Sequence, residues 1–397
     1  MYLSKIVQDQ STVVQDQSKK YHIENIRIKF WRIFLDKCTS QIMKILIKSN
    51  TDIAKYKLEQ KILNYNTYLL GKCELSSYAL FPKKKCINDY KKIFKYDISY
   101  NWKISDSEFN QIIHTFISIN HECKHDMKNE IEITNFIKVN PIIQTNNDNI
   151  VILTIGEKKF KLSKKHYNRL QSMFIGNKSD TNIMICILLT RYEYYGILKE
   201  GICLSTNDVY EFIHKEKIEN KTLEAFAGTL NSNLSNYCSL FYDIEKKFGS
   251  KGSFFNISID KYDIIISNPP YITSVMDDSS HLLVNFLKLD QKFVIVIIPD
   301  WRSVDEYNKD SSKQISINEH MQERAIIPYN SYKILRTCKY FDNVICIGNY
   351  MYYNYFSDSQ KKIRDNVLFV TLSSNKKNNF SKKFSDFMIK KINKNMG

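Results

Sequence analysis

The sequence predicts an α/β protein: a sheet with helices on its faces occupies the second half, and a mainly helical region precedes it. Two rhythms of apolar residues separate the halves. Over 24–48 they recur at helical spacing, whereas beyond about 220 short apolar runs alternate with polar or helical stretches, as strands covered by helices do. Length is the third observation, because 397 residues allow two, at most three, units of roughly 150 residues. With 43% hydrophobic residues, 26 Tyr and 23 Phe, the chain can bury one or two sizeable cores, which excludes a small disulfide-stapled module and global disorder.

Taken in order, residues 1–20 repeat Val-Gln-Asp-Gln-Ser in a polar setting and are expected to form a flexible polar N-terminus, a frayed tail or a short solvated helix. Residues 21–175 are expected to form a mainly helical accessory domain with a β-hairpin. Ile26, Phe30, Phe34, Ile42 and Leu46 are spaced by four or a multiple of it, so 24–48 reads as an amphipathic helix. A similar pattern covers 53–70, and a third helix is predicted over 105–119. Alternation over 146–163 around Gly156-Glu157-Lys158-Lys159 predicts a hairpin, followed by a helix over 164–174. The second domain is placed at 176–375. It opens with an apolar helix over 182–195 and a second that starts at Ser205-Thr206-Asn207-Asp208 and ends near Lys215. Strands follow over 222–226, 262–267, 293–298, 344–347 and 367–372, and 376–397 is a Lys-rich C-terminal tail.

The balance of 58 Lys+Arg against 42 Asp+Glu gives a net charge of +16, which favours a polyanionic partner. Lys, Asn, Ile and Tyr also dominate as an AT-rich coding genome would make them, and surface Lys keeps a protein soluble, so the charge by itself assigns no function. The runs Lys83-Lys84-Lys85, Lys158-Lys159-Lys161 with Lys164-Lys165, and the tail suit either phosphate contacts or a solvated face. Nine scattered cysteines without a CxxC pair predict neither a zinc site nor a disulfide framework, and no metal is expected. No signal-type segment or membrane-length apolar stretch is present. The expectation is an intracellular, soluble protein with no membrane partner, in nucleus or cytoplasm, a viral source favouring the cytoplasm.

The sharpest local feature is Asp263-Ile264-Ile265-Ile266-Ser267-Asn268-Pro269-Pro270-Tyr271. A β-branched run reads as a buried strand, and two prolines stop it. In an open α/β sheet, ligands bind just past the carboxyl ends of strands. Asn-Pro-Pro-Tyr there resembles motif IV of S-adenosylmethionine-dependent methyltransferases acting on planar exocyclic nitrogens. The lone pair of adenine N6 is delocalised into the ring, so the amine is a poor nucleophile until acceptors draw on its two protons. The Asn268 side-chain oxygen and the Pro269 carbonyl are two such acceptors on a rigid turn. Tyr271 offers an aromatic face to an unpaired base, worth about 1–3 kcal/mol. Upstream, Lys221-Thr222-Leu223-Glu224-Ala225-Phe226-Ala227-Gly228 reads as a strand entering a tight turn, 44 residues before Asn268 by its Glu224. Between them, Asp243 or Glu245 is a candidate to end a second strand and accept hydrogen bonds from a cofactor ribose.

Leu188-Leu189-Thr190-Arg191-Tyr192, the run LEAFAGTLN from Leu223, Tyr237-Cys238-Ser239, Phe248-Gly249-Ser250-Lys251-Gly252, NPPY and Ile298-Pro299-Asp300-Trp301 follow in one order. Together they resemble the catalytic region of the phosphorylated CTD-interacting factor family, the cap-specific mRNA adenosine-N6-methyltransferases, over roughly 161–372. The resemblance implies a class I (Rossmann-like) S-adenosylmethionine-dependent methyltransferase domain behind an N-terminal helical domain. It also implies S-adenosyl-L-methionine as cofactor and, as partner, a capped mRNA 5′ end whose cap-adjacent 2′-O-methyladenosine is methylated at N6. Asn268, Pro269, Pro270 and Tyr271 would be catalytic. Glu224, Ala225, Phe226, Asn231 and Asn268 would line the cofactor pocket, and Asp243 would serve the ribose. Arg191, Lys251, Asp300, Trp301 and Arg302 are the candidates for cap or RNA contact, Trp301 with Asp300 because a cationic 7-methylguanine favours an aromatic face beside a carboxylate. The family usually has Phe where this chain has Tyr271. Its animal members carry a WW module that binds the polymerase tail, and with tryptophans only at Trp31, Trp102 and Trp301 that module is not expected here. Two other readings use the same motif: an N-methyltransferase for DNA adenine or protein glutamine, and an inactive methyltransferase-like scaffold that binds RNA.

Overall fold

The computed structural model describes residues 2–48, 104–146, 149–195, 204–302, 330–348, 350–354, 359–362, 366–375 and 379–396, with parts of 54–63. Most of the helix expected over 53–70 and the Lys83-Lys84-Lys85 run lie outside these residues. The chain divides into two units, one of residues 1–199 with 241–248, the other of 200–240 with 249–397.

The first unit is built on two long helices, α1 (Tyr2–Lys48) and α2 (Asp106–Ile133). The expected stripe of α1 is buried: Ile26, Phe30, Phe34, Ile42 and Leu46 are all at or below 8% exposure. Phe34 meets Phe116 of α2 edge to face, with ring centres 5.1 Å apart. Lys29–Glu130 and Lys37–Glu122, both at 2.6 Å, fix the antiparallel register along the rim. A capping box at Ser105 and Glu108 starts α2. Residues 1–20, expected as a flexible tail or a short solvated helix, are helical from Tyr2 and continue α1 without a break. The two copies of the repeat start seven residues apart, at Val7 and Val14, which is two helical turns, and neither Gly nor Pro interrupts them. A meander of β1 (Ile142–Thr145), β2 (Ile150–Ile155) and β3 (Lys158–Ser163) contains the predicted hairpin, with Gly156 at φ +55° in its turn. Helix α3 (Lys164–Met173) follows, and α4 (Thr181–Tyr194) is buried along almost its whole length.

The second unit holds a six-stranded sheet. Its strands are β5 (Thr222–Ala227), β6 (Tyr237–Ser239), β7 (Ile264–Ser267), β8 (Phe293–Pro299), β9 (Phe341–Ile347) and β12 (Val367–Ser373), in the order β6-β5-β7-β8-β12-β9. The first four are parallel, and β12 runs antiparallel to both its neighbours. Central strands buried on both faces explain the unbroken apolar runs: β7, β8 and β12 are buried at every position. Ile265, Val294, Val296 and Ile298 face one core layer with Met276 and Leu283 of α6 (Thr273–Phe286). Ile264, Ile266, Ile295 and Ile297 face the other, with Phe212 of α5 (Asn207–Lys215). Helix α7 (Ser331–Thr337) packs in the first layer through Leu335. The residues read as a Lys-rich tail form α8 (Phe380–Met396), whose Phe380, Phe384 and Met388 are buried in the second layer. Their spacing of four was hidden in composition by the lysines between them. A small antiparallel sheet joins β4 (Leu204–Ser205), β10 (Met351–Asn354) and β11 (Ser359–Lys362).

Candidate active site

The chain runs from β5 to β6 on one side and then returns to place β7 on the other side of β5. Strand order therefore reverses between β5 and β7, and ligands of open α/β sheets sit outside the carboxyl ends at such a point. Glu224 pairs with Ile266, so the loops that leave the two strands, one at Gly228 and one at Asn268, emerge side by side.

Beyond β7 no ladder can continue, because Pro269 and Pro270 lack N–H groups. Asn268 is partly exposed, Pro269 buried, Pro270 exposed and Tyr271 partly buried. Among the described residues, neither the Asn268 side chain nor the Pro269 carbonyl has a hydrogen-bond partner. Ser267, fully buried at the end of β7, likewise has an unpartnered hydroxyl. The turn thus presents acceptors that no other described residue engages.

The loop after β5 is held from within. Asn231 Oδ1 accepts from the Gly228 N–H at 2.6 Å, and the Asn231 and Ser232 N–H groups return to the Gly228 carbonyl. Glu224, 4% exposed, accepts from the backbone N–H groups of Asn233 and Leu234 at 2.7 and 3.2 Å. Burial pushes its carboxyl up to about 7, against the lowering effect of Tyr210, Asn233 and Leu234. Glu224 therefore ties the loop to the strand while keeping an acid poised near neutrality. Ala225 is buried and Phe226 packs edge-on against Phe254 and Phe255.

Past β8, Asp300 and Arg302 form a closed pair: Arg302 donates from Nε at 2.7 Å and Nη2 at 2.8 Å, and Cys346 Sγ also donates to Asp300. Both side chains are at or below 1% exposure. Trp301, between them, stays partly exposed and meets Tyr271 edge to face at 6.2 Å. Lys251 is exposed in a loop that bonds back to β6.

Arg191 and Asp243 lie together in the first unit. Arg191, 0% exposed, donates to both oxygens of Glu24 at 2.5 and 2.6 Å and to both of Asp243 at 3.2 and 3.1 Å. Asp243 sits in a helical turn, Tyr242–Glu245, and does not end a strand; β6 stops at Ser239. Glu245 caps that turn by accepting from the Phe241 N–H at 2.9 Å, a local bond that competes with sheet extension. Sequence reasoning missed Glu24, Ser267 and the buried Ser239–Ser250 hydroxyl pair at 2.6 Å. Only Ser267 carried a signal, as the polar end of an apolar run before NPPY.

Residues 162–336 match the family described as phosphorylated CTD interacting factor 1 WW domain. The chain is also similar to the human and mouse proteins named mRNA (2′-O-methyladenosine-N(6)-)-methyltransferase. Identity is 26% over 168 and 171 residues respectively, in each case 39% of this chain and 23% of the relative. The chain thus aligns with under a quarter of those relatives' length. The expectation that a WW-type polymerase-tail module is absent is overturned by the family match, whose description names that domain. Tryptophan spacing tests only for a short local motif, whereas the matched similarity is spread over a long stretch of chain.

Proposed function

We propose, from the premise that this chain is a relative of the phosphorylated CTD-interacting factor family, that it is an S-adenosylmethionine-dependent methyltransferase. Its acceptor is N6 of the cap-adjacent 2′-O-methyladenosine of capped mRNA. The observation that carries this reading is the pair of acceptors, Asn268 and Pro269, which have no hydrogen-bond partner among the described residues, at the carboxyl end of β7 beside the strand-order reversal. The parallel strands and the antiparallel β12 support a class I methyltransferase sheet.

The residues fit the cofactor. Ser267 has an orphaned buried hydroxyl, and the buried Glu224 carboxyl, at about 7, suits a cationic ligand that would favour its ionised form. Glu224, Asn231, Phe226 and the Gly228 turn would hold S-adenosylmethionine. When bound, it supplies an electrophilic methyl group on a sulfonium. The protein's part is to prepare the amine. Asn268 Oδ1 and the Pro269 carbonyl accept the two N6 protons, which draws the lone pair out of conjugation and stabilises the positive charge that develops on nitrogen. Tyr271 stacks on the base, and Trp301 closes one side of that aromatic wall. A chain of net charge +16 suits an RNA substrate held by salt-sensitive phosphate contacts.

The test supplies labelled S-adenosylmethionine with capped RNA beginning in A, capped RNA beginning in G, uncapped RNA and duplex DNA. Label in the first alone is expected. Label in DNA and not in capped RNA would transfer the motif to a DNA adenine enzyme, and no label anywhere would leave a binding scaffold.

A further inference from the structure

The hydroxyl of Tyr271 has a specific partner. Tyr352, on β10 and 1% exposed, lies 2.7 Å from it, oxygen to oxygen. Tyr352 is itself fixed. Its ring meets Tyr350 edge to face at 5.0 Å, Tyr350 packs on Phe369 of β12 at 5.2 Å, and the Tyr350 hydroxyl donates to Asp208 of α5 at 3.1 Å. Tyr350 is 5% and Phe369 0% exposed, so the rings that support Tyr352 are buried. A stacking ring on a loop can rotate about two side-chain torsions. Here Trp301, roughly perpendicular to it, bounds it on one side and a buried hydroxyl pins its tip.

We propose that Tyr352 is a positioning residue for the acceptor base: it holds the Tyr271 ring in the orientation that sets the target amine against Asn268 and Pro269. This rests on the methyltransferase reading above. It also gives the tyrosine at 271 a use that phenylalanine, which stacks equally well, cannot serve.

Methyl transfer to A-initial capped RNA by wild type, Y352F, Y271F and the double variant tests it. The bond between the two hydroxyls is present in wild type and absent from each of the three variants. A single net hydrogen bond corresponds to about five-fold in rate, so each single variant is expected to lower kcat about five-fold with the KM for S-adenosylmethionine unchanged. The double variant should be no slower than either single. A double variant whose loss is the product of the two, about 25-fold, or a single variant at the wild-type rate, overturns the proposal. Should Y352F fail to fold, Y271F breaks the same bond from the loop side, and wild-type kcat with it is refutation enough. If the wild-type protein methylates none of the nucleic acids, the functional reading fails separately. The same cycle is then read as affinity for an A-initial capped oligonucleotide by fluorescence anisotropy. Equal weakening in all three variants supports the positioning role; unchanged affinity in Y352F, or no binding by wild type, overturns it.

Discussion

Replacing Glu224 by glutamine separates the charge of this buried acid from its hydrogen bonding. The amide oxygen of E224Q keeps an acceptor for the Asn233 and Leu234 N–H groups, which Glu224 now engages at 2.7 and 3.2 Å. What the variant removes is an ionisable group pushed from 4.5 to about 7 by burial. At about 1.4 kcal/mol for each pKa unit, ionising it costs the folded state about 3 kcal/mol. The sign follows from the raised value. The stabilisation is fully present below pH 4.5, where both states are protonated, and is lost as pH rises through about 7. The difference in unfolding free energy between E224Q and wild type should therefore move in favour of E224Q by about 3 kcal/mol between pH 4.5 and 8. Other carboxylates titrate alike in both proteins and cancel. Denaturant unfolding across that range measures it, and thermal midpoints should follow at about 2–4 °C for each kcal/mol. A difference that stays constant with pH would refute the assignment of a buried, near-neutral acid at the end of β5. Loss of cofactor affinity in the same variant, tightest for wild type above pH 7, would tie that charge to the ligand.

Three further outcomes follow from the geometry. Asn268→Ala should lower methyl transfer by about 10²–10³-fold, as loss of one transition-state hydrogen-bonding group does, while calorimetry finds S-adenosylmethionine bound within a few-fold of wild type; near-normal turnover would mean the amine is activated elsewhere. Arg191→Met should destabilise the first unit by about 3–5 kcal/mol, read by denaturant unfolding, because among the described residues the Glu24 carboxylate, 1% exposed, would retain Arg27 at 3.5 Å as its one cationic partner. Phe384→Ala, at a position 0% exposed, should cost about 3–5 kcal/mol in the same measurement, whereas a residue of a solvated basic tail would cost almost nothing.

What the sequence alone determined was local or periodic. The α1 stripe, the hairpin at Gly156, the apolar strands β7, β8 and β12, and the stop imposed by Pro269-Pro270 follow from residue type and spacing within one turn or one strand. The Asn268-Pro269 acceptor pair was legible for the same reason, since both groups come from adjacent residues whose backbone the prolines constrain. Tertiary structure decided whatever depends on long-range pairing. It turned Lys-rich residues into α8, because Phe380, Phe384 and Met388 find a sheet face to cover. It enclosed Asp300 with Arg302, and clamped Arg191 between Glu24 and Asp243, 167 and 52 residues away. It also set Tyr352 against Tyr271 across 81 residues of chain. Each of these partners is chosen by packing in three dimensions, a fit that no spacing along the chain encodes.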